Sequence, residues 1–333
     1  MSTLQSTPTS ATPSPGPFTS VVERDLQEVE RVLARSFQSP RPFVAQLLQH
    51  LRSYAGKRLR PALLLLTARA CGKVTPAHHV LAAVVEMIHT ATLVHDDVLD
   101  SAVIRRHVAT VNAGWGNQNS ILLGDFLFSR AFHLASSVDA QACRIIGEAT
   151  NRVCEGELQQ CSQRGNLELQ EEQYLDIIDG KTAELTACCC QLGALYSGSA
   201  PDVVESLARY GRSLGIAFQI ADDLLDLVGE ERTTGKSLGT DLEQQKLTLP
   251  LIRLLNVAPA EVVSRLHQVL ASPGNHKREA LRPYLLDSDA FAYARSRAEQ
   301  FAAQAQAELT CLPPSPCRTV LAHLTEQVVH RST

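Results

Sequence analysis

The chain has 333 residues, 44% of them apolar, and a net charge of -4 at neutral pH. That apolar share supports a substantial core, the length suits one large domain or two smaller ones, and the charge gives no bulk attraction to nucleic acid or an acidic membrane. Charged or polar breaks interrupt every apolar run before the ~20 residues of a membrane span, so no transmembrane segment is expected.

Residues 1–17 are Ser, Thr, Pro and Gly with almost nothing to bury, and are expected to form a disordered tail. The tail has no Arg, which argues against a transit peptide, and no charged-then-apolar order that would make a secretory signal. From Phe18 the pattern turns helical, with Val21, Val22, Leu26, Val29, Val32 and Leu33 recurring at three and four. Helical periodicity then runs to the end, with breaks at Gly72–Pro76, Ser197–Pro201, Gly229–Asp241 and Ser272–Asn275. Alternating strands are absent and no low-complexity linker divides the chain, so the expected fold is all-α, one helical domain over 18–333. Nine cysteines is an odd number, and Cys188-Cys189-Cys190 are consecutive. Cys71, Cys143, Cys154, Cys161, Cys311 and Cys317 show no CxxC or zinc spacing. Together they read as small core residues in a reducing compartment, the cytoplasm.

Several stretches carry chemistry. Gly56-Lys57-Arg58-Leu59-Arg60-Pro61 sets three cations ahead of the apolar run Leu63 to Leu66. A basic cluster is commonly a solvated surface, but a Gly turn of cations beside so apolar a helix suits a phosphate clamp. The run Val80 to Val94 ends in Val94-His95-Asp96-Asp97-Val98-Leu99-Asp100. Helical spacing puts Asp96 and Asp100 on one face, with Asp97 at i+3 from Asp100. Such carboxylates repel by ~1 kcal/mol per close pair in water and ~4 kcal/mol at an effective dielectric of 20, and the adjoining helix offers no Lys or Arg. An external cation is the natural compensation. His89 lies nearly two turns before Asp96 on the same face, where a satisfied core histidine is the plain alternative. Arg105-Arg106 follow closely enough to complete a diphosphate cage.

Lys181 sits in an apolar run extending to Tyr196, where it either snorkels to the surface or meets an anion in a cavity. Gly215, Gln219, Asp222 and Asp226 form a small or polar stripe on a second apolar helix. A buried polar stripe is costly unless it lines a hydrated or ligand-filled space. Asp222-Asp223-Leu224-Leu225-Asp226 repeats the DDxxD pattern. One copy is commonly a solvated helix end; two copies, each leading out of an apolar helix, point to a cavity where Mg²⁺ ions grip a diphosphate. The Gly- and Thr-rich stretch 229–246, with Arg232, Lys236 and Lys246, has the composition of a lid that brings cations over a bound phosphate.

These stretches resemble the trans-polyprenyl diphosphate synthases, above all their long-chain octaprenyl and solanesyl members. The resemblance runs from about residue 20 to the C-terminus. It rests on GKRLRP at 56–61, IHTATLVHDDVLD at 88–100, Arg105-Arg106, GDFLFSRAF at 124–132, KTAEL at 181–185, QIADDLLD at 219–226 and GKSLGTDLEQQK at 235–246. It implies an isoprenoid-synthase bundle with a central cavity, and condensation of isopentenyl diphosphate onto an allylic primer of the farnesyl or geranylgeranyl class. Asp96, Asp100 and Asp222 would be the principal ligands of about three Mg²⁺, with Asp97, Asp223 and Asp226 in support. Arg105, Lys181, Gln219, Lys236 and Lys246 would contact the allylic diphosphate, and Lys57, Arg60, His89 and Arg106 that of isopentenyl diphosphate. A homodimer is implied, with peripheral membrane contact for product release. The family usually has Gly after the Arg pair, whereas this chain has His107.

Two rivals are weighed against this reading. A class I terpene cyclase would usually replace the second DDxxD and has no use for the cations of a second diphosphate site. A non-catalytic partner subunit would be expected to lose an acidic cluster. Short-chain members tend to carry aromatic rings where this chain has Ala91 and Thr92. The tunnel floor is therefore expected to be open, continuing past Ile88 and Val84 towards Phe128 and Phe132, with a heptaprenyl to decaprenyl product.

Overall fold

The computed structural model describes residues 19–54, 56–229, 239–272 and 276–330; the tail at 1–17 lies outside the described residues. The N-terminal half runs α1 (Glu23–Ser36), α2 (Pro42–Leu51), α3 (Leu59–Cys71), α4 (Pro76–Leu99), β1 (Ile104–Arg105), β2 (Val108–Ala109), α5 (Val111–Trp115), α6 (Asn117–Ser136) and α7 (Ala140–Ser162). It continues with α8 (Glu171–Ile178), a π-helical turn (Asp179–Ala183), α9 (Glu184–Leu195) and α10 (Pro201–Val228). Then follow α11 (Thr240–Glu243), α12 (Leu249–Val257), α13 (Ala260–Ala271), α14 (Lys277–Leu286), α15 (Ala290–Glu308) and α16 (Pro316–His330). The all-α expectation holds with one correction. Ile104 pairs with Ala109 and Arg105 with Val108 in a two-residue antiparallel hairpin, too short to register as strand alternation.

The helices start and stop where the sequence signals them. Pro76 opens α4 and Pro201 opens α10, each at a position where the missing N–H would have no intrahelical partner. Thr75 caps α4 in a reciprocal arrangement with His78. At the far end of α10, Arg278 donates to the carbonyls of Leu227 and Gly229, at 2.8 and 2.5 Å, so a cation closes the C-terminal end of the helix bearing the second acidic cluster.

Ala62 to Leu66 of α3 are wholly buried, as expected of a helix that is apolar all round. α3 packs on α4 and α9, α4 along α6, and α10 along α9 and α15. By length and composition α4 could cross a membrane, but most of that stretch is buried inside the protein, as in a core helix. Three apolar clusters result. One joins α1, α3, α4, α7, α9 and α10, a second fills the space from α8 to α15, and a third ties α2 to α4 and α6. All nine cysteines are unpaired, and Cys188, Cys189 and Cys190 lie in the first cluster.

Candidate active site

The last turn of α4 carries Asp96 and Asp100, whose carboxylates face Lys181 and Lys246, and α10 carries Gln219, Asp222, Asp223 and Asp226. Lys181 stands on the π-helical turn. A cavity of about 80 Å³ is lined among others by Lys181, Gln219, Asp223, Asp241 and Lys246. Lys181 therefore meets anions in a cavity, the second of its two sequence readings. Its ammonium pairs with Glu157 and donates to Oε1 of Gln160 at 2.8 Å, both on α7. Burial disfavours its charge, but the negative fields of Asp96 and Glu157 outweigh that and hold it fully protonated.

The carboxylates divide by partner. Burial, with repulsion from Glu157 and Asp100, pushes Asp96 up to about 6 despite the nearby Lys181. Asp100 takes Arg164 at 2.9 Å and Lys246 at 3.3 Å. Asp97 lies wholly buried and accepts Arg105 Nε at 2.7 Å. On α10, Asp223 accepts from the Tyr174 hydroxyl at 2.6 Å and from Gln219 Nε2 at 2.8 Å, while Thr182 donates to Gln219 Oε1 at 2.8 Å. Asp226 accepts from Thr240 Oγ1 at 3.2 Å and the Asp241 backbone N–H at 3.3 Å, which fastens α11 to α10. Asp241 was not singled out from the sequence. Buried, and repelled by Asp226, it is pushed up to about 7 in spite of Lys246.

Among the described residues no three His, Cys, Asp or Glu side chains converge closely enough to form a ready metal cage. The donor set nevertheless suits Mg²⁺. It is all carboxylate oxygen, and burial raises Asp96, Asp226 and Asp241 alike, so that their charge is costly without a cation.

A second group of charges is almost entirely cationic. His89, half-buried, is pushed well below its usual value by burial and by the fields of Arg60, Arg106, Arg105 and Arg58, so it is neutral. Arg60 holds its Nε enclosed without a hydrogen-bond partner. Arg58 takes a left-handed conformation before α3 and pairs with Glu30 on α1 and, at 2.8 Å, with the buried Glu86 on α4. Lys57 is exposed beside them. Arg106 donates to the Tyr54 carbonyl and lies over Gly56, where a Cβ would stand 2.4 Å from its guanidinium. Arg106 and His107 form the two-residue turn of the hairpin, with φ of 51° and 64°. Both values are positive, as a type I′ turn demands, and histidine occupies the place that favours glycine.

Sequence reasoning also missed Arg164 and Tyr174. Arg164 precedes Gly165, whose N–H donates to the Gln245 carbonyl at 2.9 Å, so Arg164 and Lys246 reach Asp100 on two loops tied together. Lys236 and Arg232 lie outside the described residues. Of the expected tunnel residues, Ala91 and Ile88 are wholly buried. Thr92 is half-buried, with its hydroxyl on the His89 carbonyl at 2.8 Å. The half-buried Phe132 packs towards Gly147 of α7, and Phe128 bridges two apolar clusters.

A sequence profile for the family Polyprenyl synthetase matches residues 41–285. The octaprenyl diphosphate synthase of Escherichia coli is 36% identical over 310 residues, 92% of this chain and 96% of that protein. The crystal structure of a decaprenyl diphosphate synthase from Rhodobacter capsulatus superposes with a TM-score of 0.90 at 35% identity, over 95% of this chain and 98% of that one. A polyprenyl synthase from Caulobacter crescentus, complexed with calcium and isoprenyl diphosphate, gives 0.89 at 36% identity, over 95% and 97%.

Proposed function

The chain belongs to the polyprenyl synthetase family, and on that premise we propose how its two charge groups divide the work of a long-chain trans-prenyltransferase. The observation that carries the division is the counter-charge that each group faces. Lys181 and Lys246 stand among the Asp96, Asp100 and Asp241 carboxylates, whereas Arg60, Arg106 and His89 gather with Glu86 as their counter-charge. The first group holds the allylic diphosphate, a primer of the farnesyl or geranylgeranyl class. The second holds isopentenyl diphosphate, whose oxygens meet the unpartnered Nε of Arg60.

In this reading Asp96, Asp100 and Asp222 hold Mg²⁺, about three ions, which when bound neutralise the leaving diphosphate. Lys181 and Lys246 already face Asp96 and Asp100, so the cations are in place before the charge develops. Asp223 and Asp226 act in support, fixed by Tyr174 and Thr240. The allylic carbon–oxygen bond breaks with its electron pair going to the diphosphate. The double bond of isopentenyl diphosphate then attacks the allylic cation, and the proton lost from the new chain goes to the departing diphosphate. The apolar wall of α4 and α6 keeps water from the cation. Residues from 18 onward act as one catalytic domain. The exposed Ile121 and Leu122 on α6, beside the helix of the first acidic cluster, suit burial against a second copy in a homodimer.

The deciding experiment incubates purified protein with farnesyl diphosphate, labelled isopentenyl diphosphate and Mg²⁺ and sorts the products by length. Long-chain polyprenyl diphosphate is expected. Failure to incorporate label, or a cyclised product, would overturn the reading.

A further inference from the structure

Lys181 is held by an unusual piece of backbone. Asp179–Ala183 is a π-helical turn, closed by the Glu184 N–H on the Asp179 carbonyl, and such turns are rare and concentrate at functional sites. Two helices press it into shape. Gly156 of α7 lies so close that a Cβ there would stand 2.4 Å from the Lys181 nitrogen, and one on Gly215 of α10 would stand 2.6 Å from the Ala183 Cα.

Two arginines then bracket the turn from outside the cavity. Arg212 of α10 donates through Nη1 to both oxygens of Asp179, at 2.6 and 2.7 Å, and through Nη2 to Glu184 at 2.6 Å. Arg152 of α7 repeats the span, reaching Asp179 at 3.1 Å and Glu184 at 3.1 Å. Asp179 and Glu184 are the residues at either end of the π turn, so each guanidinium measures its length. One planar fork across two carboxylates fixes their separation in a way that a single ammonium does not.

We propose that Arg212, with Arg152, is a positioning residue for the prenyl-transfer reaction, holding the π turn at the length that aims Lys181 between the two acidic clusters. Neither arginine is among the groups assigned to substrate or metal, and the proposal rests on the reading of Lys181 as an allylic-diphosphate contact. The arginines keep 36% and 47% of their side-chain surface exposed, so the network adds little to stability. Its effect should appear in catalysis.

The test is a double-mutant cycle of Arg212→Gln and Lys181→Ala, with each substrate varied in turn. In the otherwise native enzyme, Arg212→Gln is expected to lower kcat/KM for the allylic diphosphate about tenfold or more, as slight misplacement of a charged group does. KM for isopentenyl diphosphate and the midpoint of thermal unfolding should hold. Arg212→Lys, which reaches one carboxylate at a time, should fall between. On the Lys181→Ala background Arg212→Gln should add nothing. An equal further loss on that background, or an equal effect on both substrates, would overturn the proposal. Should Arg212→Gln fail to fold, Asp179→Asn carries the same cycle from the other side of the contact. If instead the native enzyme elongates no primer, the functional reading fails and not the clamp.

Discussion

Arg105 Nε donates to Asp97 Oδ1 at 2.7 Å, which ties the second aspartate of the first acidic cluster to the hairpin. Asp97 is wholly buried while Arg105 keeps a quarter of its side-chain surface in water. Breaking such a pair should cost less than the ~3–5 kcal/mol of a fully buried one, and about 2 kcal/mol is expected for Asp97→Ala. Thermal unfolding checks it: removing Arg105 as well should recover part of the loss. Additive losses would mean that Asp97 is held by something else.

Burial raises the carboxyls of both Asp97 and Asp96, but Asp97 accepts a hydrogen bond from Arg105, whereas Asp96 meets Lys181 through its field. The Asp96 carboxyl rises to about 6, so its charge opposes folding and Asp96→Asn should leave stability intact or raise it. Turnover should nevertheless fall by orders of magnitude, as for Asp222→Asn, because a carboxylate that would hold the cation neutralising the leaving diphosphate is lost. Chelation of divalent metal should abolish activity in the native protein. Near-normal turnover in either variant would sink the metal reading.

The acidic clusters were legible because their spacing is local: i and i+4 on a helix share a face whatever the rest of the chain does. The partners that separate them were not. Tyr174 meets Asp223 across 49 residues and Lys246 meets Asp100 across 146, and no periodicity encodes such contacts. The π turn was hidden for another reason. One extra residue in a turn leaves the apolar pattern of 177–195 looking like a continuous helix. The hairpin was too brief to alternate, although Arg106-His107 marks its turn once the positive φ values are known.

His89 offers a test of the second diphosphate site. Its pKa is depressed in the folded protein, so the stability it contributes is full above 6.5, the value in an unfolded chain, and is lost as pH falls from there towards the folded value. An anion among the surrounding arginines must reverse the shift. Labelled-histidine NMR is expected to show a neutral ring well below pH 6.5 and a clear upward shift with isopentenyl diphosphate. In kinetics, Lys57→Ala and Arg60→Ala should mainly raise KM for isopentenyl diphosphate, and Lys181→Ala should impair the allylic side. An unmoved His89 resonance, or equal effects on both substrates, would dissolve the division.

His107 holds a left-handed φ of 64° that costs an L residue ~1–2 kcal/mol. Gly would relieve it but widen the unfolded ensemble by ~0.4–1 kcal/mol. His107→Gly is therefore expected to gain about 0.5 kcal/mol with unchanged KM for either diphosphate. A rise in KM would assign the imidazole itself to substrate.

Product length turns on the wall below Asp96. Thr92 lies one turn beneath it and ~40° round on α4, half-buried, whereas Ala91 is farther round and enclosed in the apolar cluster with Leu47, Leu48 and Leu127. A ring at Thr92 therefore enters the path of the growing chain with little disturbance of the core. Thr92→Phe is expected to shorten the product sharply at unchanged thermal stability and with the first condensation preserved, since no metal ligand is touched. Ala91→Phe should shorten it too, but the ring must push into the leucines, and overpacking of this kind costs typically ~1–3 kcal/mol. Product chromatography and thermal unfolding, run side by side, separate the two. If neither variant changes the chain length, the floor passes to Phe132, whose ring packs towards Gly147 on α7. In that case Phe132→Ala should lengthen the product, and Thr92 should be read as a helix contact alone.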